Sequence, residues 1–185
     1  MVTIMRKSLF IIAPVAFALL AGIGPAQAAS NAEITITANV VAATCDVSIS
    51  KSNLDLGNYS KTQFTTAATP IAGSVKTFTL DLSNCEDPKA ADSVAGLTVT
   101  GQTLSGNTNI FNSTGTNTGI MLSLPSSPST YITAGETVDF ANTATTAADL
   151  NGQTLTLQAG LATTSTTAPD IGQVSAPVLF SFVYN

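Results

Sequence analysis

The chain ends in Val178-Leu179-Phe180-Ser181-Phe182-Val183-Tyr184-Asn185, a run of aliphatic and aromatic residues that predicts a β-strand. Phe180, Phe182 and Tyr184 occupy alternate positions. They therefore share one face of the strand, which we expect to point into an apolar core. The sequence stops at this strand, so we expect one side of it to lack a covering strand.

A second alternating segment lies near the other end of the chain, ahead of Cys45. Polar Thr35, Thr37 and Asn39 separate its apolar residues, which occupy every second position. These apolar residues are Ala32, Ile34, Ile36, Ala38 and Val40. The pattern predicts a strand with one apolar face. By pattern alone, the more frequent interpretation is the ordinary first strand of a closed sandwich.

Between these two ends, short runs of β-branched and apolar residues alternate with turn signals. Examples of such runs are residues 77–82, 97–100, 120–124 and 154–157. Clusters of Gly, Asn, Pro and Ser separate the runs, among them Asn151-Gly152, a sequence typical of tight turns. About seven short strands without long helical periodicity predict an all-β domain, a sandwich related to the immunoglobulin fold.

Residues 1–28 have the layout of a secretory signal peptide. Arg6 and Lys7 precede an apolar run at 9–23, and Ala26-Gln27-Ala28 supplies the small residues of a cleavage site. A membrane anchor is the rival interpretation. Pro and Gly interrupt the run, and no similar run recurs downstream, so we expect cleavage and no membrane span thereafter.

The composition excludes several function classes. The chain has 185 residues with no His, 6 Lys and Arg, and 11 Asp and Glu. It therefore lacks the commonest general base and metal ligand, and no basic patch for nucleic acid is present. A calcium site at Glu86, Asp87 and Asp92 is disfavoured by their spacing. We expect no cofactor, no metal and no enzymatic activity.

Cys45 and Cys85 are the only two cysteines. Export to an oxidising compartment favours a disulfide between them. Such a bond would close a loop of about 40 residues and contribute roughly 4 kcal/mol in the chain-entropy model. The alternative is a metal site, which two cysteines without histidine cannot complete.

An ordered set of segments, together with the cysteine spacing and the penultimate Tyr184, carries a family resemblance. The segments are Asn39-Val40-Val41-Ala42-Ala43-Thr44-Cys45, Leu54-Asp55-Leu56-Gly57, Phe78-Thr79-Leu80-Asp81-Leu82-Ser83-Asn84-Cys85 and Asn117-Thr118-Gly119-Ile120. In these features the whole chain resembles the major subunits of chaperone–usher pili of the type 1 fimbrial kind. It departs from them at Ala38, where relatives often carry Gly, and at Ala159-Gly160-Leu161, where they often carry an aromatic residue.

The resemblance implies an incomplete immunoglobulin-like sandwich that lacks its last strand. Residues 29–44 would be an N-terminal donor-strand extension and residues 45–185 the pilin domain. The donor residues would be Ala32, Ile34, Ile36, Ala38 and Val40, and the acceptor strand would carry Phe180, Phe182 and Tyr184. A donor strand from the next subunit would fill the groove, which is a known form of β-augmentation.

The partners implied by the resemblance are identical or related pilin subunits, a periplasmic chaperone and an outer-membrane usher. The protein would pass through the periplasm to the cell surface and become part of a fimbrium that supports bacterial adhesion. One alternative is a minor or tip subunit with a ligand-binding adhesin role. A secreted hydrolase is a third possibility, but it would need paired carboxylates in place of histidine, and the sequence does not locate such a pair.

Overall fold

The structure is a computed structural model that describes residues 44–88, 93–143 and 146–184. The predicted signal peptide and the predicted donor residues Ala32, Ile34, Ile36, Ala38 and Val40 lie outside these residues. Within the described ranges, no helix has the length and apolar character needed to cross a membrane.

The described residues are mostly β-strand. The ten strands are β1 (Asp46–Ile49), β2 (Lys76–Ser83), β3 (Val94–Gly101), β4 (Thr103–Leu104), β5 (Asn107–Phe111), β6 (Thr118–Leu124), β7 (Ser127–Tyr131), β8 (Thr137–Thr143), β9 (Thr154–Thr163) and β10 (Val178–Tyr184). One short helix, α1 (Ala147–Leu150), and two 3₁₀ turns (Lys61–Gln63 and Ala72–Ser74) lie in the connections. This confirms the predicted all-β class.

The runs at 77–82, 97–100, 120–124 and 154–157 lie in β2, β3, β6 and β9, as predicted. The predicted number of about seven strands is too low. The short β4 and the polar, mostly exposed β7 account for part of the difference. The prediction relied on alternating apolar residues, and neither strand has them. Both are strands because they pair with a neighbouring strand.

The strands form two antiparallel sheets. The larger sheet has the order β1-β2-β9-β6-β5-β4, with β7 also paired to β6, and the smaller sheet has the order β10-β3-β8. Apolar side chains from both sheets belong to one buried cluster. The architecture is therefore the predicted immunoglobulin-like sandwich, with its core between the sheets.

Period-two alternation explains which side chains enter the core. In β2, Phe78, Leu80 and Leu82 are buried, whereas Lys76 and Thr77 at its start are exposed. In β3, which belongs to the smaller sheet, Leu97 and Val99 are fully buried. Each strand therefore presents one apolar face to the other sheet, which is the main source of stability in such a fold.

The predicted disulfide between Cys45 and Cys85 is present. It joins the residue before β1 to the second residue after β2, near the Asp46–Ser83 pair of the β1–β2 ladder. Cys45 is itself buried in the core. The bond therefore attaches the edge strand β1 to its neighbour β2 in the larger sheet.

The departure from the family pattern at 159–161 has a packing explanation. The segment that precedes β2 runs along this part of β9: the Ile71 N–H donates to the Leu161 carbonyl at 2.9 Å. The Leu161 N–H in turn donates to the Ser74 hydroxyl at 2.8 Å. A Cβ on Gly160 would lie 2.6 Å from the Pro70 Cβ. The connection occupies the space that a larger side chain at Gly160 would need.

Candidate subunit-binding groove

Two strand edges are open on the same side of the sandwich. Among the described strands, β10 pairs only with β3, and β1 pairs only with β2. In each strand the backbone groups on the other edge have no ladder partner from the described residues. An unpaired edge is a template for another strand.

A cavity of about 1690 Å³ lies between these edges. Its floor is the inner face of the larger sheet, where Phe78, Ile120, Leu122, Ala159 and Leu161 line it. One wall extends from Ile49 through residues 51–61. The opposite wall consists of residues 170–177 and the start of β10. The cavity is thus a groove between the two sheets, with an apolar floor.

Exposed apolar side chains concentrate at this groove. Among the described residues, four large apolar residues are exposed, and Ile49, Ile171 and Leu179 of these four line the groove. Ile171 is 84% exposed, which is far more than a side chain of the core. Exposed apolar side chains on both walls of an open groove with an apolar floor indicate a surface that binds a partner.

The three predicted acceptor residues all lie on β10 and pack against the main core cluster. Each is half-buried rather than fully buried. Phe180 lines the groove, and its ring centroid lies 5.9 Å from that of Phe78 on the floor. Phe182 and Tyr184 do not line the cavity. Their rings pack edge to face at 4.8 Å further along the strand.

Tyr184 connects the end of β10 to the loop after the disulfide. Its hydroxyl donates to the Glu86 carbonyl oxygen at 2.8 Å. Burial and the nearby acidic side chains of Asp87 and Glu86 raise the pKa of Tyr184 above its ordinary value. The hydroxyl therefore stays protonated at neutral pH and can donate this hydrogen bond.

The wall at residues 51–61 is held by contacts that the sequence analysis did not anticipate. The Tyr59 hydroxyl lies 2.7 Å from the Gly73 carbonyl oxygen and 3.0 Å from that of Leu56, and it donates to this pair of acceptors. The Lys76 ammonium group donates to the Asp55 carbonyl oxygen at 2.6 Å. Leu56 is buried beneath the wall. The position of this wall therefore depends on two side-chain contacts, Tyr59 to Gly73 and Lys76 to Asp55, that join it to the segment just before β2 and to the start of β2.

Hydrogen bonds of Asp170 hold the opposite wall of the groove, at residues 170–177, in place. We call residues 168–177, which lead into β10, the strap. The Asp170 carboxylate accepts backbone N–H groups of Thr116, Asn117 and Thr118 at 2.8, 2.7 and 3.0 Å. The Asp170 N–H donates to the Thr118 hydroxyl at 2.9 Å. No local motif marks Asp170, because its donors lie more than 50 residues away in the chain.

Further hydrogen bonds attach the strap to the β5–β6 loop. The Ser113 N–H donates to the Ser175 carbonyl oxygen at 2.8 Å, and the Asn117 side-chain amide donates to the Ala168 carbonyl oxygen at 3.2 Å. The Asn112 side chain organises that loop by accepting the N–H groups of Thr114 and Gly115. The strap is thus a hydrogen-bonded wall.

The pKa of Asp170 lies below its ordinary value of 3.8, chiefly because of the Asn117 N–H hydrogen bond, and burial opposes this shift. The carboxylate therefore stabilises the fold above pH 3.8, and this contribution is lost as the pH falls through the lowered pKa. We expect Asp170→Asn to lower the free energy of unfolding at pH 7 by about 1 kcal/mol, after allowance for solvent screening.

Thermal unfolding of the mature chain between pH 7 and pH 2 measures this difference. The difference between Asp170→Asn and wild type should shrink toward zero below pH 3.8. Asp81→Asn is the matched control, because that carboxylate accepts the Thr154 hydroxyl at 2.9 Å on the sheet surface and no backbone N–H hydrogen bond is described for it. A difference for Asp170→Asn that is independent of pH would contradict the assignment.

In the part of the chain that the structure describes, His, Cys, Asp and Glu form no group of three that could hold a metal ion. Glu86 and Asp87 instead contribute to structural contacts, since Asp87 accepts the Ala147 N–H at 2.6 Å. Asp92, the third residue considered for calcium, lies outside the described residues.

These features define an immunoglobulin-like sandwich with an open strand edge and an apolar groove beside it. A sequence model of the fimbrial protein family matches residues 34–185. Because this match covers most of the chain, the protein belongs to the fimbrial protein family, as the sequence predicted. Members of this family are structural subunits, so the protein is not an enzyme.

Solved structures agree with this fold. The chain is similar to the P pilus rod subunit PapA, with 21% identity, a TM-score of 0.59, and coverage of 77% of this chain and 99% of that chain. It is also similar to a subunit of a chaperone–usher pilus studied for rod uncoiling, with 22% identity, a TM-score of 0.53, and coverage of 88% and 100%. No curated protein sequence matches the chain significantly.

Proposed function

We propose that the protein is a shaft subunit of a chaperone–usher pilus that polymerises by donor-strand exchange. The groove would accept residues 32–40 of a second copy, with Ala32, Ile34, Ile36, Ala38 and Val40 facing its floor. Phe180 on β10 would contact this donor strand directly. Phe182 and Tyr184 would support the acceptor strand through their mutual packing.

The single observation that carries this proposal is the apolar groove beside the unpaired edge of β10. A strand inserted there would pair with β10 and cover apolar surface in one step. Each large aliphatic side chain of the donor would contribute about 1.5–3 kcal/mol on burial. The exposed Ile171 and Ile49 at the rim would gain contacts as well.

The geometry of this contact supports a fibre rather than a closed oligomer. The donor segment and the groove are different parts of one chain, so each copy can give a strand to one neighbour and receive a strand from another. A contact of this kind is heterologous, and it propagates when the rotation between copies does not close a ring. This favours a shaft subunit over a tip adhesin, which needs no donor extension.

Before assembly, the groove would be an aggregation hazard because of its open edge and apolar rim. We therefore propose that a periplasmic chaperone occupies it first and that an outer-membrane usher mediates the exchange. Cleavage after Ala28 would release the donor extension for this step. The mature protein would then reside in a fimbrium at the cell surface.

Electrophoresis tests the proposal. The purified mature chain, oxidised and incubated at high concentration, should form a ladder of SDS-resistant species that collapses to a monomer after boiling. Such resistance is expected because both strand pairing and core completion hold each contact. A monomer band alone in the unheated sample, under conditions where the protein is folded, would contradict the proposal.

A further inference from the structure

The strap has no strand pairing of its own. It continues the β10 wall upstream, and Asp170 through Pro177 line the cavity without a break. At its upstream end, Asp170 and Thr118 line the cavity together, and they are hydrogen-bonded to each other. The position of this wall is therefore set by hydrogen bonds to residues 113–118, most of them made by Asp170, rather than by a ladder.

An inserted strand needs a feature that fixes its position along the groove. A ladder of backbone hydrogen bonds alone permits slippage by two residues, because such a shift keeps the same side chains on the same face. The predicted donor face is weakly distinctive, since small Ala32 and Ala38 flank Ile34 and Ile36. Complementarity to the floor therefore discriminates poorly between registers that differ by two residues.

We propose that the strap is the stop that fixes the register of the donor strand, and that Asp170 is the positioning residue that holds it in place. This inference rests on the proposed function. When Asp170 holds the strap in place, the exposed Ile171 at the upstream end of the wall contacts the inserted donor strand in only one register. When the Asp170 hydrogen bonds are lost, the donor strand can bind in two registers that differ by two residues.

The hydrogen bonds make Asp170 suited to this role. One carboxylate binds three successive backbone N–H groups at 116–118, and hydrogen bonds to a charged acceptor are stronger than neutral ones. A Cβ on Gly115 would lie 2.7 Å from the Asp170 Oδ2, so the loop fits closely around the carboxylate. The hydrogen bonds from Asn117, Thr116 and Thr118 lower the pKa of Asp170, and burial opposes this shift.

Cross-linking within fibres of the full mature chain measures the register. Gln173, which is exposed and lines the groove, is replaced by Cys. In three separate chains, Thr35→Cys, Thr37→Cys or Asn39→Cys adds a second thiol on the donor face opposite the apolar residues. A short bifunctional thiol reagent then joins neighbouring subunits, and the yield of each pair is determined by mass spectrometry.

With Asp170 intact, we expect one donor position to dominate by about tenfold, since a preference of about 1.4 kcal/mol for one register gives that ratio. With Asp170→Asn, two adjacent donor positions should give comparable cross-link yields.

The second variant is Thr118→Val, which keeps the side-chain shape and removes the hydroxyl that accepts the Asp170 N–H. If Asp170→Asn fails to assemble, Thr118→Val provides the test, and it should also give cross-links at two adjacent donor positions. Asp81→Asn should leave the single register unchanged.

A single unchanged position in both strap variants would overturn the inference. So would comparable yields at two positions in the wild type, or an absence of cross-links in fibres that do form. If the wild-type chain forms no fibre, the proposed function fails instead, and the two failures are thereby distinguished. A purely structural role of Asp170 would lower fibre stability without moving the cross-linked position.

Discussion

Replacement of Ile36 by Asp is expected to abolish fibre formation by the mature chain. Ile36 lies at the centre of the predicted donor face, which would be buried against the apolar floor of the groove. The variant loses about 1.5–3 kcal/mol of side-chain burial. It also places a carboxylate where no described floor residue carries a positive charge, which adds several kcal/mol. A combined loss of about 5 kcal/mol weakens association by more than a thousandfold.

The matched control is Thr37→Asp, which adds the same charge one position further along. Thr37 alternates with the apolar residues, so its side chain would face solvent in the assembled fibre. The control should therefore assemble to near the wild-type yield. Both variants carry the same net charge, which removes general repulsion as an explanation of any difference between them.

Unheated SDS gels and electron microscopy of the two variants provide the measurement. Fibres of Ile36→Asp in wild-type yield would show that this face of the segment does not enter a groove. Equal loss of fibres in both variants would show that the donor register or face is assigned wrongly. Deletion of residues 29–41 should give the same loss as Ile36→Asp, while binding of a periplasmic chaperone is retained.

Removal of the disulfide, in the double variant Cys45→Ala with Cys85→Ala, is expected to lower the free energy of unfolding by about 4 kcal/mol. The bond closes a sequence separation of 40 residues and attaches β1, an edge strand of four residues, to β2. β1 provides one side of the groove through Ile49. The loss is large compared with the typical stability of about 5–15 kcal/mol of a single domain.

Chemical denaturation of the oxidised mature chain and of the double variant gives this difference. Asp46→Ala is the matched control, because Asp46 accepts the Asn84 side-chain amide at 2.9 Å and so joins the start of β1 to the residue after β2 without a covalent bond. The control should lose about 1 kcal/mol or less. A double variant that is no less stable than Asp46→Ala would contradict the role assigned to the disulfide.

The elements that could be predicted are those with local periodicity. β2 illustrates this, since Phe78, Leu80 and Leu82 alternate with polar residues and all three are buried. β7 illustrates the opposite case, because its exposed Ser and Pro residues carry no apolar pattern, and only pairing with β6 makes it a strand. The number of strands was underestimated for this reason.

The sequence predicted one part of the candidate site, the last strand, and missed the wall that leads into it. Alternation placed Phe180, Phe182 and Tyr184 on one face of the last strand, and all three pack on that face. Of these three residues, Phe180 alone lines the cavity, because the cavity lies near the start of β10. Asp170 was missed altogether, since a single carboxylate in a polar connection resembles any solvated residue until its hydrogen-bond donors are known.

The amino-acid sequence was sufficient for the β class, the family, the faces of the alternating strands and the pairing of two cysteines. All of these follow from short-range periodicity, from composition or from an ordered set of motifs. Tertiary structure was needed to locate the groove, its two walls and the carboxylate that holds one of them. These features arise where two sheet edges stay apart and where side chains meet backbone groups more than 50 residues away, and such long-range contacts leave no periodic signal in the chain.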